Sequence, residues 1–276
     1  ARFFAPLAGE AGLGLKDDVA LLRPPPGADL VLTADALVAG VHFFADDPAE
    51  LIAAKALRVN LSDLASKGAA PLGFLLSLAL PRGVADDWLE AFARGLGEDA
   101  RAFDCPLLGG DTVKTPGPLT LSITALGAVP QGAMPTRMAA KAGDRIYVSG
   151  TIGDAALGLK VRLGEGPALA AADRDALIDR YLKPQPRLAL RAALRLADAA
   201  MDVSDGLVGD LAKLLRASGL SGRLDLAAVP LSPAAWAYVE ADPEGLRIAV
   251  TGGDDYEVLA CVPPAAAAAF EAAARQ

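Results

Sequence analysis

Acidic residues recur beside Gly, Ser or Thr at the ends of apolar runs. They are Lys16-Asp17-Asp18, Thr33-Ala34-Asp35, Asn60-Leu61-Ser62-Asp63, Gly109-Gly110-Asp111-Thr112, Asp202-Val203-Ser204-Asp205-Gly206 and Gly252-Gly253-Asp254-Asp255. A carboxylate where a strand gives way to a loop points past the scaffold, where ligands bind. One such junction is ordinary turn chemistry; this many point to a shared acidic cluster. Two unit charges about 5 Å apart repel by roughly 3 kcal/mol at an effective dielectric of about 20. Divalent cations remove that cost, and oxygen-only ligands favour Mg²⁺ or Mn²⁺ over zinc. The first reading is a site for several Mg²⁺ ions, the apparatus for handling phosphates.

Other engines are missing. No G-x-x-x-x-G-K-[ST] run and no protein-kinase catalytic-loop set occur. Gly12-Leu13-Gly14 lacks the third Gly and the preceding strand of a dinucleotide fingerprint. His42 is the only histidine, which excludes two-His metal sites and leaves a Ser-His-Asp triad without support. What remains is an ATP-using site of carboxylates and glycines. Phosphoryl transfer needs positioning and charge neutralisation above all, so metal ligands can be most of the catalyst. Gly109-Gly110-Asp111 would bring backbone amides to a phosphate, with Asp111 on a metal. Asp202, Ser204 and Asp205 stand at the entrance to a helix, whose N-terminus favours anions. Arg137, in a loop otherwise poor in charge, is a candidate phosphate clamp. Each feature also has a plain structural reading. Ser204 or Asp205 could be an N-cap, Asp63 a solvated helix face, Gly252–Asp255 a hairpin turn, Asp17-Asp18 a polar turn and His42 a structural residue.

The elements that must position these groups are readable in outline. The chain has 276 residues, 53% of them hydrophobic and 22% charged, enough for one large or two moderate folded domains. A net charge of −8 argues against nucleic acid. Cys105 and Cys261 lie in apolar runs and read as buried free thiols of a reducing compartment. No apolar run reaches the ~18 residues of a membrane span, and the start at Ala1-Arg2-Phe3 is no signal peptide, so a cytoplasmic protein is expected. Asp29–Thr33 reads as a strand delivering Asp35 at its end, Leu51–Ser66 as a helix stopped at Gly68, and Leu72–Leu80 as a buried strand. Asp86–Phe103 is a helix capped by Asp86 or Asp87, with Leu89, Phe92, Leu96, Ala100 and Phe103 on one face. Cys105–Leu108 is a short strand running into Gly109, and Leu119–Gly127 a half-buried strand. The loop Pro130–Gly143 divides the chain into residues 1–135 and 136–276. Beyond it, Asp144–Ser149 is a strand, Asp154 opens a helix, 164–174 is a surface excursion and Arg187–Ala200 is helical. Leu207, Leu211 and Leu214 face a helix that Gly219 ends. Ile248–Thr251 and Tyr256–Val262 read as strands around Gly252–Asp255, and the Ala-rich end from Pro264 is helical. The fold class is α/β (α+β) in two halves.

Taken in order, these segments resemble the thiamine-monophosphate kinase family of the aminoimidazole ribonucleotide synthetase-like superfamily. The resemblance rests on Lys16–Leu22, Thr33–Phe43 with its Gly40-Val41-His42-Phe43 run, Lys55–Ala65, Leu108–Thr112, Asp202–Leu207 and Gly252–Glu257. It implies direct transfer of the ATP γ-phosphate to thiamine monophosphate, giving thiamine diphosphate with no phosphoenzyme and no side-chain base assigned. It implies Mg²⁺ ligands at Asp18, Thr33, Asp35, Asp63, Asp111, Asp202 and Asp205. ATP contacts fall at Gly110, Asp111, Arg137 and Ser204, and substrate neighbours at His42 and Asp254. The family fold has an N-terminal β-rich half that forms a homodimer, two sheets closing a barrel, and a C-terminal α/β half.

Asp254 stands where the family usually has Glu, one methylene shorter. Lys16 holds a place often taken by Gly; it could reach a phosphate or offset the acidic cluster. The family usually runs on past the final strand, with an aromatic that stacks on the thiamine, whereas this sequence stops at Gln276; weaker thiamine-monophosphate binding is expected before any loss of ATP. The rival readings are a sibling ATP-using synthetase of the superfamily and a non-catalytic protein that binds divalent ions. Selenophosphate synthesis would want a reactive Cys or Sec in a glycine-rich N-terminal segment, and the hydrogenase-maturation relative a C-terminal Cys; neither is present.

Overall fold

The structure, a computed structural model, describes residues 2–275; Ala1 and Gln276, which enter the readings of the two chain ends, lie outside the described residues. The chain divides into two compact units. One holds the residues up to Leu64 with Ala69–Gly132, the other Ala65–Gly68 with the residues from Ala133 onward. The mixed α/β class expected from the sequence is what the structure has.

The first unit is a four-stranded sheet, β1 (Ala28–Val38), β2 (Ala70–Pro81), β3 (Leu107–Thr115) and β4 (Thr120–Pro130), with two helices, α1 (Ala49–Ser66) and α2 (Asp86–Ala102). The spatial order is β1-β4-β2-β3. β4 pairs antiparallel with β1 and β2, while β2 and β3 run parallel. A parallel pair needs a long crossover, and α2 supplies it. The helix buries Phe92, Ala93, Leu96 and Ala100 on one face, as its periodicity predicts. Its N-cap is Ala85; Asp86 and Asp87 fall in the first turn instead, where their charge suits the helix dipole without capping. α1 is buried nearly all round: Ile52, Ala53, Leu57, Leu61 and Leu64 are in the core, and so are its polar Lys55, Arg58, Asn60 and Ser62.

Two strands run longer than expected, and this moves site residues. β1 continues through Asp35 to Val38, so Asp35 is mid-strand, opposite Ile123. β3 starts at Leu107 and carries Gly109–Thr112 inside it rather than in a following loop. Pairing along β4 and β2 keeps both segments extended after their apolar runs end.

The second unit centres on a three-stranded sheet ordered β5-β7-β6, where β5 is Arg145–Val148, β6 Ala199–Val203 and β7 Glu257–Val262, both partners antiparallel to β7. Every residue of the central β7 is buried. Leu259 and Cys261 pack with Met201, Val203, Leu207, Leu211 and Val250 on one face; Val258, Ala260 and Val262 pack with Leu194 and Phe270 on the other. The surrounding helices are α3 (Asp154–Leu163), α4 (Ala171–Leu182), α5 (Arg191–Leu194), α6 (Leu207–Ala217), α7 (Pro233–Ala241), α8 (Glu244–Thr251) and α9 (Ala267–Ala274).

Three expectations fail here. Ile248–Thr251 is the end of helix α8, because Gly245, Ala249 and Val250 bury at helical spacing. A short apolar run does not announce its period. The Gly252–Asp255 segment therefore joins a helix to β7 and is no hairpin. The span from Arg187 yields only a 3-10 turn and the four residues of α5 before β6 begins. Both cysteines are free and buried, as expected. Among the described residues no helix is long and apolar enough to cross a membrane.

Candidate functional site

In the first unit the site grows from the alternation of β1. Thr33 and Asp35 share the strand face that also carries the buried Val31 and Leu37, the face toward which α1 projects Asn60 and Asp63. The Thr33 hydroxyl donates to Asp63 Oδ2. One turn earlier, Asn60 Oδ1 accepts the Asp35 backbone N–H at 3.1 Å, and its amide nitrogen donates to the Ala56 carbonyl at 3.0 Å. Two carboxylates and a hydroxyl are thus gathered by one strand and one helix. Burial holds the Asp35 carboxyl above its ordinary range, the Asp63 charge adds to the shift, and His42 opposes it. Asp63 is half-buried and bonded, not a solvated helix face.

Asp111 is not part of that group. Its register partner is Ser77, whose partner is Ser122, whose partner is Ala36. Paired residues project to the same side, so Asp111 lies on the sheet face that shows Leu30, Leu32 and Leu75. Asp35 points to the other face, and β1 and β3 are opposite edges of the sheet. Three strand spacings, about 14 Å, separate the edges, so within one chain these two carboxylates cannot share an ion. The Asp111 side chain accepts the Thr112 N–H at 2.8 Å. Gly110 has φ +149°, and a Cβ there would stand 1.8 Å from the Leu76 carbonyl oxygen. Strand packing alone therefore requires a glycine, whatever ligand its amide meets.

Asp18 is exposed, its N–H bonded to Asp17 Oδ1 at 2.8 Å. His42 is exposed in the turn after β1, where its Nδ1 accepts the Val38 N–H at 3.1 Å. That bond requires Nδ1 without a proton, so a neutral ring carries its hydrogen on Nε2.

In the second unit the candidate residues sit on two adjacent loops. Asp202 is buried in β6, opposite Val258. Beyond it, the Val203 carbonyl accepts the Tyr256 N–H at 2.8 Å and the Ser204 carbonyl accepts the Asp254 N–H at 2.9 Å. The segments 203–206 and 252–256 are stitched side by side in this way. Their approach is close: a Cβ on Gly253 would lie 2.3 Å from the Ser204 carbonyl oxygen. Asp254 and Tyr256 both adopt left-handed backbone, φ +71° and +52°, a strain of order 1–3 kcal/mol per residue that packing must hold. The intervening Asp255 anchors the loop, both carboxyl oxygens accepting the Gly153 N–H at 2.9 and 2.8 Å. The N-cap of α6 is Gly206 with no side-chain cap; Ser204 and Asp205 are too early in the chain to serve. Arg137 is exposed, its carbonyl accepting the Ser218 hydroxyl at 3.1 Å.

The sequence reading missed the groups that hold these loops. Asp205 is bound by Lys213, which also reaches Asp210 Oδ1 at 2.9 Å. Asp210 is fully buried and accepts the Asp205 N–H at 2.8 Å. The i, i+3 spacing of Asp210 and Lys213 on α6 was the available signal. Glu257, also fully buried, takes Arg180 at 2.8 Å, Arg187 at 2.6 Å and the Ser149 hydroxyl at 2.5 Å. It neutralises the base of the same loop; nothing local marked Arg180 or Arg187 as its partners. A cavity of about 930 Å³ lies in this unit along Lys141–Val148 and Ser221–Asp225, and no candidate residue lines it.

Among the described residues no group of three or more His, Cys, Asp or Glu stands in metal-holding geometry. Within each unit the candidate carboxylates form small sets: Thr33 hydrogen-bonds Asp63 in the first, and the Lys213 ammonium pairs with Asp205 in the second. Such sets still suit Mg²⁺, which is commonly held by one or two carboxylates plus substrate phosphates rather than by an all-protein cage. Asp35, pushed toward protonation by burial and by Asp63, is a carboxylate that a cation would relieve.

Comparison with known proteins follows the same division. The family described as AIR synthase related protein matches through its N-terminal domain over residues 16–129 and its C-terminal domain over residues 141–276. A thiamine-monophosphate kinase of Caulobacter vibrioides is 50% identical over 281 residues, covering 99% of this chain and 78% of that protein. The crystal structure of thiamine-monophosphate kinase from Stenotrophomonas maltophilia K279a is similar with a TM-score of 0.87 at 41% identity, covering 95% of this chain and 83% of that one. AaThiL complexed with AMPPCP and TMP gives a TM-score of 0.81 at 32% identity, covering 92% of this chain and 81% of that one.

Proposed function

The chain belongs to the thiamine-monophosphate kinase family of AIR synthase related proteins, and from that premise we propose that it uses ATP to phosphorylate thiamine monophosphate to thiamine diphosphate. The observation that carries this reading is the match to the Caulobacter kinase over 99% of the chain. A relative complexed with AMPPCP, an ATP analogue, and TMP supports the pairing of substrates.

In this reading residues 1–135 and 136–276 are the two functional halves. Asp18, Thr33, Asp35, Asp63, Asp111, Asp202 and Asp205 hold several Mg²⁺ ions, which when bound neutralise phosphate charge. Gly110, Asp111, Arg137 and Ser204 contact ATP. His42, through Nε2–H, and Asp254 face the thiamine monophosphate. The acceptor oxygen belongs to a phosphate already anionic at neutral pH, so no side chain need remove a proton, and positioning is what the protein supplies. The left-handed backbone of Asp254 and the bond from its N–H to the Ser204 carbonyl support this reading by fixing its loop beside Ser204.

The protein acts in the cytoplasm as a homodimer. The exposed sheet face with Leu30, Leu32, Leu75 and Val113 is an apolar surface of the kind that marks an interface, and it is the face assigned to the dimer.

The test is ADP release from ATP and Mg²⁺ with and without thiamine monophosphate, with the product followed by chromatography. Release that depends on thiamine monophosphate and matches thiamine diphosphate formed is expected. ATP binding with no such turnover would overturn the assigned reaction.

A further inference from the structure

Lys213 has a position that the kinase reading does not use. Gly206, Asp210 and Lys213 recur at helical spacing along one side of α6, and helical side chains lean toward the N-terminus. The ammonium of Lys213 is thereby carried back to the loop that opens the helix, where it binds Asp205 and lies 2.9 Å from Asp210 Oδ1. The two carboxylates differ in kind. Asp210 is fully buried and already accepts the Asp205 N–H, so it is a fixed structural anchor. The Asp205 side chain is 70% exposed, open to solution and to exchange of partner.

We propose that Lys213 is a built-in counter-cation that occupies Asp205 until a divalent ion displaces it, and so sets the metal concentration at which Asp205 becomes a ligand. This rests on the assignment of Asp205 as a metal ligand. The ammonium offers a single charge and hydrogen bonds to an exposed carboxylate, and such pairs are weak; a divalent ion with direct oxygen coordination outcompetes it. The displaced ammonium remains tethered to Asp210, and the loop keeps its anchor during the exchange. Lys213 is a positioning residue in this scheme and touches no reacting atom.

The experiment is Mn²⁺ binding followed by electron paramagnetic resonance, without nucleotide or thiamine monophosphate, on the full chain and three variants. Lys213→Met is expected to bind Mn²⁺ about fivefold more tightly, the scale set by an exposed ion pair, and Lys213→Arg to remain near the parent. Asp205→Asn is expected to lose the affected ion. Should Asp205→Asn weaken binding while Lys213→Met leaves it unchanged or weaker, the counter-cation role fails and Asp205 remains a ligand. Should Asp205→Asn bind as the parent does, the assignment of Asp205 fails and the inference with it. Thermal unfolding by circular dichroism accompanies each variant, and Lys213→Gln replaces the methionine if that variant does not fold.

Discussion

Asp35 and Asp111 lie at opposite edges of the same four-stranded sheet and on its opposite faces. Both carry motif carboxylates, yet one chain cannot bring them to one ion. Asp111 instead projects from the exposed apolar face of Leu30, Leu32, Leu75 and Val113, which in the proposed dimer would meet a second copy of the chain.

The consequence is complementation. Asp111→Asn alone should remove most turnover while sparing the fold, since the side chain is exposed and its bond is a local one, to the next residue's N–H. Asp35→Asn should do the same to activity. Mixed dimers of the two variants, refolded together, should recover about a quarter of the parent rate, because a twofold dimer then holds one intact site in half the molecules. No recovery in verified heterodimers would mean that Asp111 serves its own chain on a separate ion.

The dimer itself is open to a simpler check. Leu32 is 62% exposed on the face of the proposed interface, and Leu32→Lys places a charge there. Sedimentation should show monomers for the variant and dimers for the parent; an unchanged sedimentation coefficient would move the interface elsewhere.

Thr33 orients Asp63 through its hydroxyl. Thr33→Val keeps the β-branched shape that suits β1 but removes the hydroxyl that bonds Asp63. Loss of such an orienting partner typically costs ten- to a hundredfold in activity or metal affinity. Turnover against Mg²⁺ concentration should therefore fall by about that range, with the melting temperature nearly unchanged.

His42 is the only histidine of the chain, so nitrogen-15 NMR reads it without assignment. The Val38 bond to Nδ1 predicts the Nε2–H tautomer for the neutral ring. His42→Ala should raise KM for thiamine monophosphate about tenfold or more, the loss of one charge-assisted bond, and leave KM for ATP within about twofold. An Nδ1–H spectrum would refute the geometry, and an equal effect on both KM values the role.

Asp255 makes stability depend on pH. Its carboxyl is held well above the ordinary 3.8, first by burial. The Gly153 and Ala155 N–H groups and Arg180 oppose the shift, and Asp154 adds to it. The folded chain therefore binds the proton more tightly than the unfolded chain. Stability is gained as pH falls from the folded value toward 3.8 and is absent above the folded value. Measured by urea unfolding, the parent should gain on the non-titrating Asp255→Asn variant as pH falls through the raised folded-state value toward 3.8. A constant difference across that range would contradict the shift.

The family was legible from the chain alone, because its motifs are runs of adjacent residues whose order survives any folding detail. So were the face of α2, read from Phe92, Leu96 and Ala100, and the turn at Gly68, where a left-handed backbone asks for glycine. These are local facts, fixed by side-chain period and backbone sterics. Tertiary structure decided the rest. Ile248–Thr251 became a helix because its buried positions are chosen by what packs on Val250 and Ala249, which a four-residue apolar run does not encode. Asp35 and Asp111 look alike in sequence, each an Asp after a small residue. Only strand order and register set them on opposite edges and faces. Lys213 and Arg187 found their carboxylates through the path of the backbone: one along a helix, the other from a loop seventy residues distant from Glu257. Sequence names the groups that can carry charge; pairing across strands and loops determines which charges meet.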